Sequence, residues 1–177
     1  MVLITKLLTL ALTAAATPIL RRDAITVEGD INQRIGPGIS TLGNDVNTFP
    51  SSGLAGAVAI HTDFENLVTS VNYATTDTNS AGSLDDESGA AILNDVQAVV
   101  QVLLGVLTAI ADQATAWSSV PGGASLVLND LASLHTAFDN FADALLTNEP
   151  ASLSDQVTSI KTSIDSAFTS AEAAYSS

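Results

Sequence analysis

From residue 23 to the end of the chain, apolar side chains recur at helical spacing. Between Asp23 and Phe49, the positions Ile31, Ile35, Ile39, Leu42, Val46 and Phe49 step by 4, 4, 3, 4 and 3. That places them on one face of an α-helix and departs from the two-residue period of a strand. Gly36-Pro37-Gly38 interrupts the stripe. Proline lacks an N–H to donate and its ring crowds the preceding turn, so a kink or two shorter helices meeting there is expected. Phe49-Pro50-Ser51-Ser52-Gly53 closes the segment, and Leu54, Val58, His61, Phe64, Leu67, Val71 and Ala74 repeat the helical step. The stretch 75–83, TTDTNSAGS, is polar and aperiodic and predicts a loop.

A third helix follows, with Asp85, Asp86 and Glu87 in its first turn, where carboxylates complement the positive end of the helix dipole. It is apolar nearly all round between Val102 and Ala111, which predicts a central helix buried on several sides. Gln97 and Gln101 interrupt the apolar run, so a membrane span is not expected. Val120-Pro121-Gly122-Gly123 forces a turn. A fourth stripe (Leu128, Leu131, Leu134, Phe138, Phe141, Leu145) ends at Asn148-Glu149-Pro150, and a fifth (Leu153, Val157, Ile160, Ile164, Phe168, Ala171, Tyr175) is the most regular in the chain. Long segments joined by short turns predict an all-α fold, an antiparallel bundle of about five amphipathic helices in one domain.

The first 22 residues read differently. Met1–Ala16 carries one charge, Lys6, an apolar run from Leu7 to Leu12, and a small-x-small site at Ala14 and Ala16, the pattern of a secretory signal peptide cleaved after Ala16. Residues 17–22 end in Arg21-Arg22, a dibasic pro-piece that leaves Asp23 as the mature start and 23–177 as the domain. Beyond residue 22 two cations, Arg34 and Lys161, face 19 acids, a net charge of −17. A chain so acidic repels phosphate backbones, which excludes nucleic acid as a partner. A hydrophobic tail at the C-terminus is also lacking, so no transmembrane or lipid-exchanged anchor is expected. The expected location is secreted and extracellular, with association to the cell wall as the bound variant.

With no Cys in the chain, disulfides, thiolate sites and Cys nucleophiles are excluded, and stability must come from packing. His61 and His135 are read as rim histidines: there is no HExxH, and neither is assigned a ligand at helical spacing, so no metal site is called. No G-x-S-x-G elbow is present. Asp77-Thr78-Asn79-Ser80-Ala81-Gly82 mimics the start of a calcium loop, but its fifth position is Ala81 and its twelfth is Ser88, where a bidentate acid is needed. Asp85, Asp86 and Glu87 fan around a helix start and make no paired-carboxylate site. Neither glycine cluster has the strand and Lys of a phosphate loop. No catalytic residue and no cofactor is called, and the chain is read as a non-enzyme.

What remains is the apolar interior. Leu103, Leu107, Phe138, Phe141, Ile160 and Phe168 are the candidate contacts; they either fill the core to normal density or part to admit an acyl chain or meet a hydrophobic surface. The order of features resembles the fungal hydrophobic surface binding protein A family, also described as cell-wall galactomannoproteins. It runs from a signal peptide, through a pro-piece ending in Arg21-Arg22-Asp23, to five Cys-free amphipathic helices rich in Ala, Ser, Thr and Asp. The resemblance implies a secreted, non-catalytic binder of hydrophobic surfaces and fatty-acyl lipids. It further implies recruitment of a secreted esterase or cutinase to a hydrophobic solid. Two alternatives stay open: a wall mannoprotein that sequesters fatty acids in a central cavity, and an acidic elicitor that recognises a partner through its charged face.

Overall fold

The computed structural model describes residues 22–176. Ala16 and Arg21 of the expected processing sites therefore lie outside the described residues, and Arg22 opens the first helix. All regular structure among the described residues is helical. The elements are α1 (Arg22–Asp30), a π-helical turn (Ile31–Ile35), α2 (Gly36–Thr48), α3 (Gly53–Ala81), α4 (Asp86–Asp112), α5 (Ala114–Trp117), α6 (Gly123–Asn148), a 3₁₀ turn (Ala151–Leu153) and α7 (Ser154–Tyr175).

The break expected at Gly36-Pro37-Gly38 takes the form of the π turn. Gly36 N–H bonds to the Ile31 carbonyl, five residues back, and Pro37 enters α2 in its first turn, where a missing N–H costs least. Residues 22–48 thus form one rod with its apolar stripe unbroken: Val27, Ile31, Ile35, Ile39, Leu42 and Val46 are all buried. Four further rods, α3, α4, α6 and α7, complete a ring. Around it the first rod contacts α3, α3 contacts α6, α6 contacts α7, α7 contacts α4, and α4 returns to the first rod.

Helices consecutive in the chain reverse direction, as the short turns require. Because the ring does not follow chain order, three of its seams are parallel. Asn32 bonds to Asp95, and a Cβ added to Gly36 or Gly43 would meet Val99 or Val106, which is one constant offset along the first rod and α4. His61 pairs with Asp130 near the starts of α3 and α6, and Asn79 with Asn148 at their ends, again one offset. Ser152 bonds Asp86 at the base of α7 and α4, while Tyr175 donates to the Ile110 carbonyl at their far ends. Helices holding a fixed register over several turns run nearly aligned, the geometry of bundle packing.

Two expectations are corrected. Residues 75–81 are the last turns of α3, not a loop: Ala74, Thr78 and Ala81 extend the buried stripe, and Thr75, Thr76, Thr78 and Ser80 each donate to the carbonyl four residues back. Polar composition hid a helix whose hydroxyls satisfy themselves on its own backbone. The helix ends at Gly82, φ +66°, a conformation that costs glycine nothing. The second correction concerns α4, which is one stave of the ring and not its centre; Val102 is 49% exposed. By length and composition α4 is also apolar enough to cross a membrane, despite Gln97 and Gln101. In the bundle its stripe Ile92, Val96, Val100, Leu103, Leu107 and Ile110 is spent on its neighbours. Its start is as expected, with Asp85 Oδ1 accepting from Ser88 N–H at 2.8 Å.

Acid groups face one another across the seams. Asp30 of α1 faces Asp77 of α3, and burial first, then this contact, lifts Asp30 to about 6. Burial and the neighbouring Asp45 lift Asp63 to about 6, and burial alone lifts Glu149, lodged against Gly89, to about 7. Two carboxyls share a hydrogen bond only when one holds a proton.

Each of these folded-state values lies above its unfolded counterpart. Their stabilisation is therefore complete near pH 4 and is lost as pH rises through 6 to 7. Thermal unfolding followed by circular dichroism should give a higher Tm at pH 5 than at pH 8. Asp63→Asn, which supplies a permanent donor to Asp45, should raise the pH 8 value and narrow the gap; an unchanged gap contradicts the assignment. Separately, Gly43→Ala should destabilise by about 1–3 kcal/mol, because the new Cβ lies 2.8 Å from a Val106 methyl.

Candidate functional site

The apolar interior narrows to a slot where α4, α6 and α7 meet. Val96, Val99 and Val100 come from α4, Phe138, Phe141, Ala142 and Leu145 from α6, and Val157, Ile160 and Ile164 from α7, with Ile35 of the π turn completing the lining. The slot is dry and nearly closed: its cavity volume is ≈ 10 Å³, room for about one water. Sites that hold drug-sized ligands run to about 300–1,000 Å³, so the slot as it stands is far smaller than such a site.

On the outside of the same α4/α7 seam lies a polar vestibule of ≈ 370 Å³, lined by Gln97, Gln101, Ser159 and Ser163. Val100 and Ile160 line both spaces and form the wall between them. The polar ties across this seam, Ser152 to Asp86 and Tyr175 to Ile110, sit at its two ends. Its middle is held by apolar contact.

Of the six candidate contacts named from sequence, Phe138, Phe141 and Ile160 line the slot. Leu103, Leu107 and Phe168 do not: Leu103 and Leu107 are buried farther along α4, and Phe168 lies behind Phe138 with ring centroids 6.1 Å apart. The slot also takes in the valines of α4, Ala142 and Leu145, which were not among the candidates taken from the apolar stripes. The i, i+3, i+4 spacing of Val96, Val99 and Val100 was the available signal.

Both histidines bridge helices. Against the sequence reading, each has an acid four residues on, Glu65 after His61 and Asp139 after His135. His61 Nδ1 lies 3.0 and 2.9 Å from the two oxygens of the buried Asp130. That hydrogen bond, outweighing desolvation, raises the His61 pKa; for Asp130 desolvation outweighs His61 and the pKa is also raised. A depression of ≈ 260 Å³ beside them includes Ser133, whose hydroxyl donates to the Asn129 carbonyl at 2.8 Å. An open groove of ≈ 540 Å³ along α3 and α6 is lined largely by Asn and Thr.

The sequence model of the hydrophobic surface binding protein A family matches residues 24–147. The chain belongs to that family. The match covers the ring from α1 through nearly all of α6, leaving α7 as the stave outside it. No curated protein sequence matches. Among solved structures the fold is similar to that of AfMP4p in complex with palmitic acid, with a TM-score of 0.81, 28% identity, and 86% of this chain and 99% of that one covered. It is also similar to ligand-binding domain 1 of the Penicillium marneffei MP1 protein complexed with arachidonic acids (TM-score 0.78, 13% identity, covering 86% and 98%). Ligand-binding domain 2 of the same protein, again with arachidonic acids, gives a TM-score of 0.79 at 16% identity, covering 90% and 97%. Membership and likeness together support hydrophobic-surface and lipid binding as the class of activity.

Proposed function

We propose that the protein is a secreted, non-catalytic carrier of single fatty-acyl chains that also adsorbs to hydrophobic surfaces, with the α4/α7 seam as its entrance. The observation that carries this is the pairing of a closed apolar slot with a polar vestibule through one thin wall, Val100 and Ile160. Parting the unpinned middle of the seam exposes Val, Ile, Leu and Phe side chains to an acyl tail while the head group stays in the vestibule. Gln97 and Gln101 amides and the Ser159 hydroxyl are the donors for a carboxylate there. Burying a dozen methylenes at about 0.8 kcal/mol each yields roughly 10 kcal/mol, and micromolar affinity remains after the costs of association and of opening the seam.

The fatty acids held by the structural neighbours support the acyl reading, and family membership supports the surface reading. On a hydrophobic solid the same seam opens against the surface, and the adsorbed protein recruits a secreted esterase or cutinase. Secretion is supported by the signal-peptide pattern and dibasic pair of the first 22 residues.

Native mass spectrometry of the purified protein before and after organic extraction should show a stoichiometric acyl mass that extraction removes. Returning palmitate should raise the Tm with saturation, by mass action. An extracted protein whose Tm ignores palmitate, and which never carries an acyl mass, overturns the carrier reading. The double variant Gln97→Ala/Gln101→Ala should weaken palmitate binding about 10-fold, the scale of a charge-assisted hydrogen bond, and leave the unliganded Tm unchanged because both side chains are exposed. Leu107→Ala should cost about 2–5 kcal/mol of stability without changing the affinity of the folded protein.

A further inference from the structure

On the outer side of the α6/α7 seam, His135, Asp139 and Asp165 converge. One donor atom from each lies within 4.8 Å of the other two. His135 and Asp139 are four residues apart and share a face of α6, and Asp165 reaches across from α7. The histidine is fixed from two sides. Its ring stacks on Phe168 with centroids 4.8 Å apart and planes inclined by 8°, and its Nδ1 lies 3.2 Å from Glu172 Oε1. With Nδ1–H donated to a carboxylate, Nε2 is turned toward Asp165 Oδ1, 3.4 Å away. A ring tethered through its far nitrogen, with the near one presented to carboxylates, is the arrangement by which proteins orient a metal-bound imidazole.

Ligand atoms of Asp139, Asp165 and His135 all lie within 4.8 Å of one another, and ionised carboxylates so close repel each other unless a positive charge stands beside them. Lys161 meets part of that demand, its ammonium lying 2.9 Å from Asp139 Oδ1 and 3.3 Å from Asp143 Oδ1 and its charge also reaching Asp165. One carboxylate oxygen of Asp139, one of Asp165 and a ring nitrogen of His135 still converge on a common point. The net charge of −17 beyond residue 22 adds a field that concentrates cations at such a point.

We propose that His135, Asp139 and Asp165 form a binding site for one divalent transition-metal ion of the zinc type, with Glu172 as the carboxylate that orients His135. One imidazole and two carboxylates make a three-ligand set suited to Zn²⁺, with water completing the shell. Because the ligands come from both helices, the bound ion staples α6 to α7 beside Phe168, directly behind the Phe138 wall of the slot.

The test is calorimetric titration of the metal-stripped, full-length secreted protein with Zn²⁺ at pH 7.5, alongside Tm measurements with and without the ion. Expected are one site per chain and a Tm that rises on saturation. His135→Gln should abolish both, and His61→Gln should leave both intact. Glu172→Gln should weaken binding by roughly 10- to 100-fold, the usual effect of losing an orienting carboxylate. Lys161→Met, which frees Asp139 from its competing cation, should tighten binding. That gain of affinity cannot arise from misfolding, so it keeps the test decisive if His135→Gln does not fold. Absence of heat and Tm shift at millimolar Zn²⁺ overturns the site. Binding that survives His135→Gln, or an affinity unmoved by Lys161→Met, overturns it as well.

Discussion

The close approach of the first rod to α4 sets the rest of the bundle. Gly36 and Gly43 lie where a side chain would strike Val99 and Val106, so the two backbones come together as far as valine methyls allow. Fixed there, the parallel register between residues 22–48 and α4 determines which way α4 presents its remaining apolar face. Val96, Val99 and Val100 then turn toward α6 and α7, and Gln97 and Gln101 turn outward. The slot and its vestibule are two sides of one helix whose rotation is decided on the opposite seam.

Nothing covalent assists this. Without cysteine, the ring is held by interdigitated apolar faces and a few polar ties, among them the buried bond from the Tyr175 hydroxyl to the Ile110 carbonyl. Such a ring can loosen along one seam while the others persist, since each seam is a separate set of contacts. Seams differ in what fastens them: α6/α7 carries Lys161, His135 and their carboxylate partners mid-length, whereas the middle of α4/α7 is closed by Val100 and Ile160 beneath the polar vestibule.

Much of this was legible in the sequence. The stripes gave every long helix, the proline placed the irregular turn, and the acids at Asp85–Glu87 marked the start of α4. What failed did so for identifiable reasons. Residues 75–81 read as a loop because threonine and serine are scored as polar, yet their hydroxyls bond to their own helix. The apolar girth of α4 read as central because periodicity reports how much surface is hydrophobic, not what covers it. The parallel seams were invisible, because short turns fix only how consecutive helices run, and the ring joins α3 to α6 and α7 to α4. For the sites, His135 and Asp139 were four letters apart and available to inspection, while Asp165 and Glu172 join them only through tertiary pairing. Leu103, Leu107 and Phe168 belong to the same apolar stripes as the slot residues, and which members of a stripe reach the slot is set by helix rotation.

The two cations beyond residue 22 are already engaged. Arg34 holds Asp30 at 3.1 Å and lies over the Tyr73 ring, and Lys161 spans two aspartates. Neither is left to meet a phosphate headgroup, and the uncompensated acids elsewhere make a bilayer of anionic lipid a repulsive wall at distances within a Debye length, about 8 Å in physiological salt. A protein so charged is kept from lingering on cell membranes while remaining free to approach uncharged wax, polyester or dispersed monomeric lipid. In the carrier function proposed above, such a surface selects the phase from which an acyl chain is taken, a choice made before any side chain in the interior is consulted.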